Sequence, residues 1–369
     1  MKTDNRKTTA TVCKKPAARK TTSSGKRRKA GTIATLTGSG DIYRLVTDRI
    51  IVALENGTPP WRRPWRNAQQ GINTLMPVNA LTGRGYSGVN VLLLWLAAEE
   101  RGFTSDRWLT YNQAREAGGQ VRKGETATLA VIYRDWTKQA EDSNGNKLFD
   151  ADGKPQMETV PMLRQFPLFN AEQCDALPDQ VRGTATVTRP QEDFADVSPV
   201  QLQQVLSVVN ATGVQFSPRP QNRAYYRAAT DQIVLPLTSQ FDAEGDYWST
   251  VLHELVHASG HAKRLNREGI TRASKKFGDP VYAFEELIAE IGSAFLCAHL
   301  GITGDLQHES YVDGWLSKLK SDKKALFSAC RQAREASEYL LAPLSYHSAA
   351  WPVRLSLATH CATNVVVYC

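Results

Sequence analysis

An α+β chain of two domains behind a basic, unfolded tail is the prediction, and three observations carry it. The 369 residues suffice for two or three hydrophobic cores. Helix-like and strand-like runs mix over residues 41–175, whereas helical patterns dominate residues 198–341. Between them, residues 176–197 are rich in Pro, Asp, Gln and Thr, the composition of a linker.

The tail comes first. Residues 1–40 carry 11 Lys/Arg against one acid, Asp4, a balance of +10, while the whole chain is +8; the remaining residues therefore sum to −2. With little to bury, this stretch is expected to be disordered. Its KKPAARK and GKRRKA runs suit a polyanion such as nucleic acid, the competing reading being a solubilising tail or leader. No apolar segment follows it, so a secretory signal is not expected, and no run of 18 apolar residues suggests a membrane span. Six scattered cysteines without a CxxC pair point to reduced thiols and a cytoplasmic location.

In the first domain, DIYRLVTDRIIVALENG reads as an amphipathic helix over 41–56, stopped at Gly57. Prolines keep TPPWRRPW irregular. NALTGRGYSG is a turn, NVLLLWLAAEERG an apolar helix, and residues 105–118 a further helix. QVRKGETATLAVIYRDW leads into a strand, and residues 137–159, with the turn signals SNGN and DADGK, form a hairpin excursion. DADG lacks the remaining spacing of a calcium loop, so turn chemistry is the better reading. MLRQFPLFNAEQC closes the domain near residue 175. The second domain reads as a helix over 198–211, two short strands in YYRAATDQIVLP, and three long helical stretches. Residues 342–369 show no clear period and have no structural reading.

The first of those long stretches contains His253-Glu254-Leu255-Val256-His257. Residues four apart share a helix face, so both imidazoles can reach one metal ion, and Glu254 lies where it can take a proton from water. A third protein ligand is required. Glu286 and Glu290, four apart on the next apolar helix, are the candidates: Glu286 for the metal and Glu290 for orienting a ligand histidine, with the reverse assignment open. Glu285 is expected to face elsewhere as a solvated or capping acid. His261 is a competing ligand, although HELVHASGH departs from the metzincin spacing because Lys263 stands where the third histidine would be. A cap on the helix C-terminus is its alternative role. Zn²⁺, or another divalent ion such as Mn²⁺, is the expected cofactor. TDQIVLP fits either an edge strand that a peptide substrate would extend or an ordinary sheet strand.

In the first domain, Trp61 and Trp65 alternate with Arg62, Arg63 and Arg66 in the proline-stiffened loop. Rings beside guanidiniums offer stacking surfaces for bases and charge for phosphates, the needs of single-stranded nucleic acid. Arg84, Tyr86, Arg122 and Lys123 lie on turns that would extend this surface; simple packing of the loop onto the domain is the equal alternative.

Taken in order, PPWRRPW, NALTGRGYSGVNVLLLW, VRKGETATLAVIY, HELVHASGH and YAFEELIAEIGSAFL give residues 41–341 a resemblance to the ArdC-type antirestriction proteins, a pattern also found at the N-terminus of TraC-type plasmid primases. The resemblance implies a single-stranded-DNA-binding domain joined to a SprT-like, zincin-like metallopeptidase domain. It also implies carriage by conjugative plasmids or other mobile elements, protection of incoming DNA from host restriction, and a cytoplasmic location. His253, Glu254, His257 and Glu286 match the family's metal motif. The expected function is thus a DNA-binding zinc peptidase of the gluzincin-like kind, acting on a restriction enzyme or another DNA-bound protein. The alternative is a protein that occludes single-stranded DNA without proteolysis, its metal being structural.

Overall fold

The computed structural model describes residues 39–61, 76–183, 197–272, 279–304 and 311–349. The expected tail up to residue 38, Arg62, Arg63, Trp65, Arg66, most of the expected linker and residues 350–369 lie outside them. The chain is α+β, with two domains.

The first domain begins with α1 (Ser39–Glu55), followed by β1 (Val78–Asn79), α2 (Val89–Arg101), β2 (Arg107–Leu109), α3 (Tyr111–Glu116) and β3 (Gln120–Val121). The long strands β4 (Thr128–Gln139) and β5 (Met157–Asn170), then β6 (Cys174–Asp175) and the turn-length α4 (Asp179–Arg182), complete it. Four strands form a sheet in the order β1-β2-β5-β4. β4 and β5 pair antiparallel along their whole length, from Thr128 opposite Leu168 to Gln139 opposite Met157. Beyond them the chain makes the predicted excursion, held by the bridges Glu141–Lys147 and Phe149–Pro155. Its two turns are fixed by Asp142, accepting from the backbone N–H of Asn144 and Asn146, and by Asp150, accepting from those of Asp152 and Lys154. These are self-closing Asx turns.

One expectation fails here. The helix predicted over 105–118 is a strand followed by a short helix. Trp108 is 1% exposed, lies edge-on to Phe103 and pairs with Asn170, so tertiary packing overrides helical propensity up to Leu109. Thr110 then starts α3 through a reciprocal capping box with Gln113.

The second domain comprises α5 (Pro199–Thr212), β7 (Gln215–Arg219), β8 (Tyr225–Arg227), β9 (Gln232–Pro236), α6 (Glu244–Ser259) and α7 (Glu268–Thr271). It continues with α8 (Pro280–Leu300), α9 (Val312–Ser321) and α10 (Ala325–Ala349). The sheet order is β7-β9-β8, which puts QIVLP in the middle. Both sides of β9 are paired, so the edge open to a peptide is not this strand; β8 is an edge. The last predicted helical stretch divides into α9 and α10 and runs past Pro343 to Ala349.

A single buried cluster links the two domains, running from Ile42, Val46 and Ile50 of α1 through Leu92 and Leu93 of α2 to Leu252, Leu255, Leu296 and Trp315. Trp95 of α2 meets Phe295 of α8 edge to face, ring centroids 5.9 Å apart. Among the described residues, no helix is long and apolar enough to cross a membrane.

Candidate metal centre and nucleic-acid groove

α6 and α8 build the centre. α8 starts at Asp279, whose side chain accepts from the Val281 N–H, with Pro280 in its first turn, and ends at Gly301 in the left-handed conformation. Its middle, Leu287 to Ala298, is buried throughout, so the helix runs through the core against α6. That crossing brings Glu286 to the two histidines of α6.

The ligating atoms of His253, His257 and Glu286 lie within 4.8 Å of one another, and all three residues are buried. One Glu286 oxygen is 3.5 Å from His253 Nε2 and the other 3.5 Å from His257 Nε2. Two imidazole nitrogens and a carboxylate are the donor set of a catalytic zinc site with a position left over. Despite burial, the adjacent histidines hold the Glu286 carboxyl well below the usual carboxylate range. Burial alone would lower His257; the carboxylates of Glu286 and Glu285 outweigh it and push it up to about 10. Glu254, 4% exposed, sits in the same turn as His253.

The carboxylate behind His257 is Glu285, which corrects its expected role as a solvated or capping acid. Glu285 is 1% exposed, its Oε1 is 3.4 Å from His257 Nδ1, and Arg267 donates to both its oxygens at 2.6–3.2 Å. Glu290 is buried one turn further along α8, outside the ligand cluster. Spacing along α8 did not reveal Glu285 in this place because the neighbour that recruits it, Arg267, comes from a loop the helical pattern does not contain. Gly269 makes room for this brace: a Cβ there would stand 2.6 Å from Glu285 Cβ.

His261 is also absent from the cluster. Its Nδ1 accepts from the Lys263 N–H, while the carbonyls at the end of α6 are taken by Arg264, which bonds Ala258 O at 2.7 Å, and by Arg267, which bonds Val256 O at 2.5 Å. Cationic side chains there complement the helix dipole. Arg264 also pairs with Asp231 at the start of β9, tying the helix to the sheet.

Two tyrosines escaped sequence reasoning. Tyr282 lies one turn before Glu286 on α8, and its hydroxyl is 3.4 Å from that of Tyr311. Burial, then the Glu286 charge, raises the Tyr282 phenol above its ordinary range, so it stays a hydrogen-bond donor at the edge of the cluster. Glu286 minus four is the spacing that could have found it.

The structure dismantles part of the expected nucleic-acid surface. Trp61 is 1% exposed and packs edge-on against Trp315 of α9, centroids 5.9 Å apart, so its ring is core and not a stacking platform. Arg122 is exposed but engaged by Glu125, Asp175 and the Glu172 carbonyl, and Lys123 sits exposed beside it. Arg84 and Tyr86, by contrast, line a groove of about 840 Å³ with Arg134, Trp136 and Arg164 of the β4–β5 hairpin. Trp136 is 49% exposed. Residues 132, 134 and 136 alternate onto one strand face, and Arg164 lies opposite Ile132. The period-two pattern of IYRDW was the available signal for these three.

Residues 40–169 match the family described as the N-terminal domain of anti-restriction factor ArdC, and residues 203–332 match a zincin-like metallopeptidase family. A DNA primase TraC of Escherichia coli is 34% identical over 306 residues, 81% of this chain; the chain spans 20% of that primase. An uncharacterised protein, y4eC, of Sinorhizobium fredii is 32% identical over 307 residues, covering 83% of this chain and 93% of that protein. The crystal structure of the antirestriction ArdC protein from plasmid R388 in its metal-free form aligns with a TM-score of 0.67 at 36% identity, over 83% of this chain and 98% of that one. Its Mn(II)-bound form aligns with a TM-score of 0.63, over 82% and 98%.

Proposed function

The chain belongs to the ArdC-type antirestriction family, and on that premise we propose that it binds single-stranded DNA and carries a divalent-metal peptidase centre, protecting the incoming DNA of a mobile element from host restriction. The observation that carries the peptidase half is the convergence of His253, His257 and Glu286 with Glu254 in the same helical turn. A divalent cation, Zn²⁺ or Mn²⁺, held by those three residues supplies Lewis acidity toward a peptide carbonyl.

The chain's own residues do the rest. Glu254 accepts a proton from water and returns it to the leaving amine. Glu285, anchored by Arg267, fixes the ring and tautomer of His257. Tyr282 and Tyr311 place hydroxyl donors at the rim of the site, where charge on a scissile carbonyl oxygen would develop. The edge strand β8 offers backbone groups for an extended peptide.

The DNA half rests on the groove between the Arg84–Tyr86 loop and the hairpin, where guanidiniums meet phosphates and Trp136 stacks on bases. That groove is built without the metal centre, which favours a second reading: occlusion of single-stranded DNA with no proteolysis. Glu254→Gln separates the two. It retains shape and the three ligands, so DNA binding and metal content are expected to persist while cleavage of a DNA-bound restriction enzyme falls about 10²–10⁴-fold. Full antirestriction by this variant in a plasmid-transfer assay would rule proteolysis out as the working mechanism.

A further inference from the structure

A second cavity, of about 650 Å³, begins where the hairpin groove ends. Gly85, Tyr86, Ile132 and Phe166 line both. The second cavity is walled on its far side by Lys324 and by Phe327, Arg331 and Arg334 of α10, in the metallopeptidase domain. Tyr133, 54% exposed, bonds through its hydroxyl to that of Tyr43 at 2.8 Å, and the Lys324 ammonium lies over the Tyr43 ring at 5.5 Å. Among the described residues, the charged lining of both cavities is Arg84, Arg134, Arg164, Lys324, Arg331 and Arg334 against a single acid, Asp135.

We propose that single-stranded DNA does not stop at the hairpin but continues along this second cavity, so that α10 of the metallopeptidase domain is itself part of the DNA-binding surface. The proposal rests on the single-strand reading given above and extends it. The wall sets flat rings (Tyr86, Tyr133, Tyr43) beside cations, which suits unpaired bases on a phosphate backbone. Among the described residues, Arg331 and Arg334 pair with neighbours on their own helix, Glu335 at 2.8 Å and Glu338 at 3.8 Å, and neither acid lines the cavity. Exposed pairs of this kind are weak, so a phosphate can replace the carboxylate at little cost. The consequence for function is placement: a strand bound this way lies on the domain that carries the metal centre.

The test is fluorescence anisotropy with oligothymidylate of about six and about twenty nucleotides, bracketing common single-strand site sizes. The double variant Arg331→Gln with Arg334→Gln is expected to bind the short oligonucleotide as the wild type does and the long one roughly tenfold more weakly. Its salt slope on the long one should be lower by about 1.4, at about 0.7 per lost phosphate contact. Arg331→Lys with Arg334→Lys should restore most of the loss, and unchanged melting of both variants would confirm folding. Unaltered affinity for the long strand, with Trp136→Ala still weakening it, would confine DNA to the hairpin and overturn the proposal alone. Indifference of both variants and both oligonucleotides would overturn the single-strand reading with it. Loss of poly-glutamate binding without loss of DNA binding would reassign α10 to an acidic protein partner and also overturn it.

Discussion

The His253–His257–Glu286 centre and the hairpin groove are built on opposite physical principles. At the centre these charges are buried and braced: Glu286 between two histidines, Glu285 between His257 and Arg267, Arg267 on Ser259 and Val256. In the groove Trp136 and Arg134 stand open to solvent on a two-stranded arm. A buried site needs each charge matched before any ligand arrives, because an unmatched one is costly. An exposed site leaves its charges hydrated and exchanges water and counterions for phosphate on binding. The contrast teaches that damage to the centre should register first as lost fold stability and damage to the groove only as lost affinity.

The largest expected effect breaks the brace. Arg267→Met leaves the Glu285 carboxylate buried without its guanidinium and removes a donor from the Val256 carbonyl and the Ser259 hydroxyl at the end of α6, so unfolding free energy in urea should fall by about 3–5 kcal/mol. Adding Glu285→Met should recover much of that loss, since an uncharged pair removes the desolvation penalty. A stable single variant would mean that the buried pair is not what holds α6, α7 and α8 together.

The tryptophans sharpen the comparison, because the sequence treats them alike and the structure does not. Trp61→Ala should cost about 3–5 kcal/mol of stability, as a truncated core ring does. Trp136→Ala should leave the urea midpoint in place and weaken single-strand binding by about 1–3 kcal/mol, the range for one lost base stack. Equal and purely binding effects would return Trp61 to the surface.

What the sequence revealed follows the same division. The centre was legible to the extent that it lies on one helical period: His253, Glu254 and His257 are fixed by 3.6 residues per turn, while Glu286 and Glu290 on the next apolar helix stayed alternatives for the third ligand. Glu285 was missed because its partner Arg267 comes from another element, and periodicity within a helix says nothing about a loop folded against it. In the groove the proline-bracketed tryptophan–arginine run drew attention, yet Trp61 is buried by Trp315, more than 250 residues away in sequence. Of the residues that line the groove, Arg134 and Trp136 share a face by strand period alone, but Arg164 joins them only through the β4–β5 register. Most helices and the long hairpin were legible from pattern and turn chemistry. Strand RWL and the central place of QIVLP were not, because pairing across a sheet decided them.

The smallest expected effects concern how the centre trades a proton for a metal. In the metal-free protein the carboxylates of Glu286 and Glu285 keep His257 charged up to about pH 10. A group raised in the folded state stabilises it fully below the unfolded histidine value of about 6.5, and that contribution fades as pH climbs through about 10. A cation must displace this proton, so metal affinity measured by calorimetry should rise with pH through the neutral range, by up to about tenfold per unit for one proton released. Glu285→Gln keeps the shape behind Nδ1 but removes a charge, and should lower metal affinity by about 10–100-fold, the usual cost of losing an outer-shell carboxylate. It should also flatten the pH dependence, since His257 loses one of the two carboxylates that keep it protonated. Weaker metal binding with the slope untouched would assign Glu285 to packing around Arg267 and leave Glu286 alone in control of the histidine; both changes together would make the Arg267–Glu285 brace part of the metal chemistry as well as of the fold.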